Sequence, residues 1–237
     1  TSRKLSEPIS LIVRSSSAAG KSRLLEKTAM LLPPEDVERV SRITQAALYY
    51  LGDSHHLEGK LLVIDERTGS VEADHALRSL QSEKELTLLV PVKTPSGGFR
   101  TRKLTVYGPT AVMESTTEDV EYQNSNRVFE AHLDESPEQT RRVIDAQRAR
   151  WAHANGNGHG DGHGAGDPAA MVRLFQNAQR LLRPAKIEIP FVRHVRFPAE
   201  WIRARRDHER FLGLVGASAF LHQYRRERVD GDPPVVQ

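Results

Sequence analysis

Ser15, Ser16, Ser17, Ala18, Ala19, Gly20, Lys21 and Ser22 follow one another in the N-terminal tenth of the chain. They match the phosphate-loop pattern G-x-x-x-x-G-K-[ST] at every fixed position but the first, where Ser15 stands for glycine. Small residues let successive backbone N–H groups close around an anion, a lysine ammonium neutralises phosphate oxygens, and a serine hydroxyl is a hard ligand for Mg2+. The candidate phosphate contacts are therefore Ser16, Ser17, Ala18, Ala19, Gly20, Lys21, Ser22 and Arg23, with Lys21 on the β/γ oxygens and Ser22 on the metal. Ser15 is expected to take a backbone conformation that glycine reaches at no steric cost, which weakens the match without removing the cradle.

A second chemical feature lies 43 residues beyond Ser22. Leu61, Leu62, Val63 and Ile64 form an apolar run that ends in Asp65 and Glu66. This has the form of a Walker B strand, in which Asp65 holds the metal shell and Glu66 acts as general base on the attacking water. An acidic pair after a strand is common by chance, but at this distance from a Gly-Lys-Ser loop each motif strengthens the other. Together they indicate a nucleoside triphosphatase that uses Mg2+. Later residues offer candidates to complete the site. Thr116, at the end of a strand, could sense the γ-phosphate. Arg127 could reach a neighbouring subunit's nucleotide, and Arg206, beside Arg205, could close onto the γ-phosphate. A surface ion pair is the ordinary alternative for Arg127, and decoration of a basic helix end is that for Arg205 and Arg206.

The elements that must carry these residues read as an α/β fold. A short buried strand over 9–14 precedes the loop, and a helical pattern over 21–32 follows it. Pro33 and Pro34 stop that helix, and 35–51 offers further helical turns through Val37, Val40 and Ile43. The apolar run 61–64 suits a strand covered on both faces. A helix over 71–85 leads to two β-rich runs, 86–92 and 102–107, separated by turn residues, which predicts a β-hairpin. Strands over 110–117 and 127–133 follow. The expected organisation is a nucleotide-binding core over 1–136, a helix over 137–151, a Gly- and His-rich linker over 152–167, a helical lid over 168–229 and a tail over 230–237. His153, His159, Asp161 and His163 in the linker invite a metal reading, but a glycine-rich coil supplies no fixed outer shell.

The 237 residues include no cysteine, which excludes a disulfide scaffold, a thiolate metal site and a cysteine nucleophile. No apolar run approaches the roughly 20 residues needed to cross a bilayer, and the N-terminus has no apolar signal core, so a cytoplasmic protein is expected. The absence of an initiator Met suggests a piece of a longer chain. Residues 171–237 hold 13 Lys or Arg against seven Asp or Glu, and 26 of the chain's 34 cations are Arg. A basic, arginine-rich end is compatible with nucleic-acid contacts and equally with a solvated helical surface.

The order of these elements resembles the AAA+ ATPases, in particular the group with a β-hairpin inserted before the strand that carries Thr116. The run Asn126, Arg127, Val128, Phe129 resembles the arginine-finger segment of minichromosome-maintenance helicases, and 206–214 resembles their sensor 2 helix. The segments 45–50, 80–83 and 205–210 are similar to the ATPase module found beside zinc-finger primase domains in bacterial phages and mobile elements. The resemblance implies a P-loop core with a parallel sheet, an inserted hairpin and a C-terminal helical lid. It further implies a hexameric ring in DNA replication whose hairpins grip single-stranded DNA in a central channel, with a primase domain as a possible partner. Lys93, Arg100, Arg102 and Lys103, in or beside the hairpin loop, supply cations for a phosphate backbone.

Three readings follow. The first is an ATP-driven DNA helicase or translocase. The second is an ATP-dependent switch that assembles on DNA or a partner without unwinding. The third, a small-molecule P-loop kinase, predicts neither the Arg127 finger nor the hairpin.

Overall fold

The computed structural model describes residues 1–50, 57–67, 71–95, 97–117, 128–153, 167–229, 231 and 233–236; at 71, 72 and 153 it describes the backbone alone. Five strands, β1 (Leu11–Arg14), β2 (Val37–Val40), β3 (Leu61–Ile64), β6 (Ala111–Thr116) and β7 (Phe129–His132), form one sheet in the order β2-β3-β6-β1-β7. Every pair in it is parallel. This is the expected α/β class.

Parallel strands need helical crossovers, and those crossovers cover the sheet on both faces. Helix α1 (Lys21–Met30) lies on one face, where its Leu25 packs with Val13, Val63 and Met113. On the other face α2 (Gln45–Tyr50) and α3 (Val71–Glu83) place Leu48, Ala76 and Leu80 against Leu62 and Ile64. Alternate residues of β3 thus feed two separate cores, which is why its sequence is apolar without interruption.

Residues 35–51 depart from the helical expectation. A short 3-10 turn, Pro34–Asp36, leads into β2 instead, and helix begins only at Gln45. Val37, Val40 and Ile43 recur every three residues, as on a helix. Tertiary pairing overrides that signal, because Val37 to Val40 register against Leu61 to Ile64 along the edge of the sheet.

The hairpin is present and longer than expected. Strands β4 (Glu85–Lys93) and β5 (Phe99–Tyr107) pair antiparallel from Glu85↔Tyr107 out to Lys93↔Phe99. Leu86 and Val106 at its base join the core with α2 and α3, and the distal half carries exposed side chains.

Helix α4 (Pro137–His153) runs along the surface, and α5 (Pro168–Leu181) and α6 (Ala204–Leu221) form the C-terminal region. The N-terminal segment ties α5 to the core. Buried Arg3 donates to Gln179 Oε1 at 2.7 Å and pairs with Asp36, and Lys4 Nζ donates to the carbonyls of Gln179 and Leu182. A small sheet that sequence reading did not anticipate joins β8 (Lys186–Ile187), β9 (Arg228–Val229) and β10 (Val235–Val236). The linker residues 154–166, with His159, Asp161 and His163, lie outside the described residues. Among the described residues no helix is long and apolar enough to cross a membrane.

Candidate nucleotide-binding site

Ligands of open parallel sheets collect at the carboxyl ends of the strands. A cavity of about 500 Å3 opens there, walled by Lys21 and Ser22, by Asp65 and Glu66, and by Ser115 and Thr116. Strand order explains the convergence. β6 lies between β1 and β3, so its tip brings Thr116 between the loop after β1 and the acids after β3. Ser17, Ala18, Gly20 and Arg23 also line the cavity, whereas Ser16 and Ala19 do not.

The loop reaches α1 through two left-handed residues. Ala18 has φ 66° and Gly20, the N-cap, φ 100°. Glycine holds such a conformation without cost, whereas alanine pays about 1–2 kcal/mol. Ser15, by contrast, is not among the described residues with positive φ, so the strain expected at the missing glycine is absent. Its side chain has a different task. Buried Ser15 Oγ accepts from Leu133 N at 2.8 Å and donates to Arg14 O at 2.6 Å, pinning the loop to the segment after β7.

That segment holds the loop a second time. Glu135 accepts from Ser16 N and from Ser16 Oγ, both at 2.7 Å, and these bonds draw its carboxyl below the usual carboxylate range. Lys21 Nζ donates to the carbonyls of Ser15 and Ser16, each at 2.7 Å. The ammonium is therefore stored on the loop's own oxygens, one side-chain swing from an arriving phosphate.

Both acids at the β3 tip are engaged by arginines. Asp65 Oδ1 accepts from Arg39 Nε at 3.0 Å and Nη2 at 2.9 Å, and Glu66 Oε2 accepts from Arg42 Nη2 at 2.7 Å. The Arg42 hydrogen bond and charge, with Lys21 behind them, hold the Glu66 carboxyl below its ordinary value, so it is ionised at neutral pH. Both partners of that pair are well exposed, with 65% and 62% of their side-chain surface open, and solvent screens such pairs. Arg39 sits on β2 and Arg42 just beyond it, so reading 35–51 as helix hid both residues. Glu135 was missed as well, since nothing local marks a carboxylate that acts 119 positions from its partner.

A Mg2+ ion takes hard oxygen ligands, and the Ser22 hydroxyl and Asp65 carboxylate line one cavity, so the donor set fits. Among the described residues no group of three or more His, Asp or Glu side chains that could hold a metal ion is found.

Not every candidate converges here. Arg127 lies outside the described residues. Arg205 and Arg206, in the first turn of α6, line a different cavity of about 580 Å3 with Pro8, Ser10, Thr110 and Phe129. Those residues precede or begin the strands, so Arg206 stands at the end of the sheet opposite Lys21. Closure of Arg206 onto the chain's own γ-phosphate is not what this arrangement provides.

A glycine-capped loop between a buried strand and a helix, facing an acidic strand tip with one strand between them, defines a P-loop nucleotide-binding domain. The sequence agrees over most of its length. Residues 1–156 match the family described as the MTBMA_p00010 P-loop domain, and the chain belongs to that family. No curated protein matches the chain.

Proposed function

We propose that this chain is the ATP-hydrolysing motor module of a DNA helicase or translocase. The hairpin is the observation that carries the reading beyond nucleotide binding. Alternation along its strands puts Lys93, Phe99, Leu89 and Lys103 on one face, and Arg100, Arg102, Val90 and Val92 on the other. All four cations are exposed, and Phe99 keeps 68% of its surface open. Cations beside a free aromatic ring suit a single strand, whose phosphates take the charges and whose bases offer π faces.

In this reading the loop amides and Lys21 hold the triphosphate, and Glu66, freed from Arg42, takes a proton from water. Bound Mg2+ would draw charge from the transferring phosphoryl group. Arg127 and Arg206 serve a neighbouring subunit's nucleotide in a ring. The position of Arg206 at the end of the sheet away from Lys21 supports this for Arg206. So do apolar side chains left exposed on α5, among them Met171, Leu174 and Phe175, which a subunit contact would cover.

ATP turnover with and without single-stranded DNA is the test. Wild type should be stimulated by DNA, and Lys93→Ala with Lys103→Ala should keep basal turnover and lose the stimulation. Equal stimulation of both proteins would refute the assignment. One observation favours the switch reading: Asp65 and Glu66 are both held by arginines. A switch predicts one slow turnover per assembly event, with no DNA movement at saturating ATP.

A further inference from the structure

Behind the cavity, between the tips of β3 and β6, lies a group of charges that do not line it. Arg67 follows Glu66 directly. Its guanidinium pairs with Glu114 of β6 (Nη1 to Oε1, 2.5 Å) and with Asp74 of α3 (Nη2 to Oδ2, 2.7 Å). The three side chains are 11%, 5% and 11% exposed. Two carboxylates thus share one guanidinium, with Arg78 of α3 lining the same cleft, and buried Glu114 Oε2 meets no hydrogen-bond partner among the described residues.

Such a cluster is poor support for a fold. Desolvating three charges costs several kcal/mol for each ion, and apolar residues of similar volume commonly fill the space as well or better. What the cluster supplies is placement. Asp65 N and Glu66 N donate to Val40 O and Ser41 O on one side, and Arg67 N donates to Ser115 O on the other. Ser115 Oγ donates to Asp65 O at 2.5 Å. The backbone that presents Glu66 is stitched to both neighbours, and Arg67 extends the stitching inward to Glu114, two residues before Thr116.

We propose that Arg67, Glu114 and Asp74 are positioning residues that set the Glu66 carboxylate against Thr116 for the hydrolytic step. The proposal rests on the reading of the cavity as an ATP-hydrolysing site. A displacement of about 1 Å at a reacting group can cost on the order of a hundredfold in rate, and the rigid fork of a guanidinium fixes the directions of its two partners as an ammonium does not.

The experiment compares nucleotide affinity, KM and kcat in wild type, Arg67→Lys, Glu114→Leu and the all-apolar triple variant Arg67→Met, Asp74→Leu, Glu114→Leu. Arg67→Lys should bind ATP within about threefold of wild type and lose about ten- to hundredfold in kcat. The triple variant should unfold as cooperatively as wild type and remain slow. A triple variant that is both stable and fully active shows a merely structural cluster and overturns the proposal. If the Arg67 variants do not fold, Glu114→Leu, which removes the acceptor for Arg67, carries the test, with KM unchanged and kcat lowered as the supporting result and an unchanged kcat as the refuting one. A wild-type chain that binds ATP without hydrolysing it refutes the site reading and the proposal together. Hydrolysis that is indifferent to all these changes refutes the proposal alone.

Discussion

Replacing Glu114 by Gln tests the electrostatics of the buried cluster without reference to activity. Burial raises the Glu114 carboxyl from 4.5 to about 7, and the neighbouring Asp74 charge adds to that rise, while Arg67, shared between the two acids, offsets it in part. The unfolded chain releases this proton near pH 4.5, whereas the folded chain keeps it to about pH 7. Between those values the unfolded state binds fewer protons, so stability falls as pH rises. Each pH unit in the window corresponds to about 1.4 kcal/mol, so the loss approaches about 3 kcal/mol by neutrality. Gln keeps the shape and an acceptor for Arg67 but does not titrate. Urea unfolding of both proteins from pH 5 to pH 8 isolates the cluster, since titrations of groups away from it cancel in the difference. Near pH 5 the two should agree within about 1 kcal/mol, and at pH 8 the variant should be the more stable by about 2–3 kcal/mol. A difference that does not change with pH would mean that Glu114 is ionised throughout and that Arg67 outweighs its burial.

Other substitutions separate the parts of the loop. Lys21→Ala should abolish measurable ATP binding by equilibrium titration, and retained binding would remove the lysine from the phosphate site. Ser15→Gly, which restores the usual loop pattern, should lower stability by about 1 kcal/mol because Leu133 N loses its acceptor; a gain on thermal unfolding would contradict the role given to Ser15 Oγ. Ala18→Gly should stabilise by up to about 1 kcal/mol by relieving a left-handed alanine, and no gain would place the strain elsewhere. Mixing Arg127→Ala with Lys21→Ala chains should recover some ATP turnover if the arginine acts between subunits, and no recovery at any ratio argues against it.

The features legible in sequence were those whose chemistry is local. Gly20, Lys21 and Ser22 announce a phosphate loop because backbone approach, charge and metal ligand must be consecutive. Asp65 and Glu66 stand out because the strand before them is buried on both faces. The hairpin was legible from its turn residues, and its extra length came from pairing that composition does not record. What stayed hidden was set by the sheet. Val37, Val40 and Ile43 satisfy a helical period as well as a strand, and the register with β3 decides between them. Arg39 on Asp65, Arg67 on Glu114 and Glu135 on Ser16 are encounters between distant positions that strand order alone creates.

The clasp of Glu135 on Ser16 has a mechanical consequence. Helix α4 begins two residues later and, at 17 residues, reaches about 25 Å from its base. Among the described residues its side chains from Arg141 to Ala152 are exposed. Lys21 and Glu135 both hold Ser16, so the phosphate loop and the base of α4 share an anchor, and a tilt of about 5° at that base would carry the far tip about 2 Å. A long helix thus stands on the loop that lines the cavity.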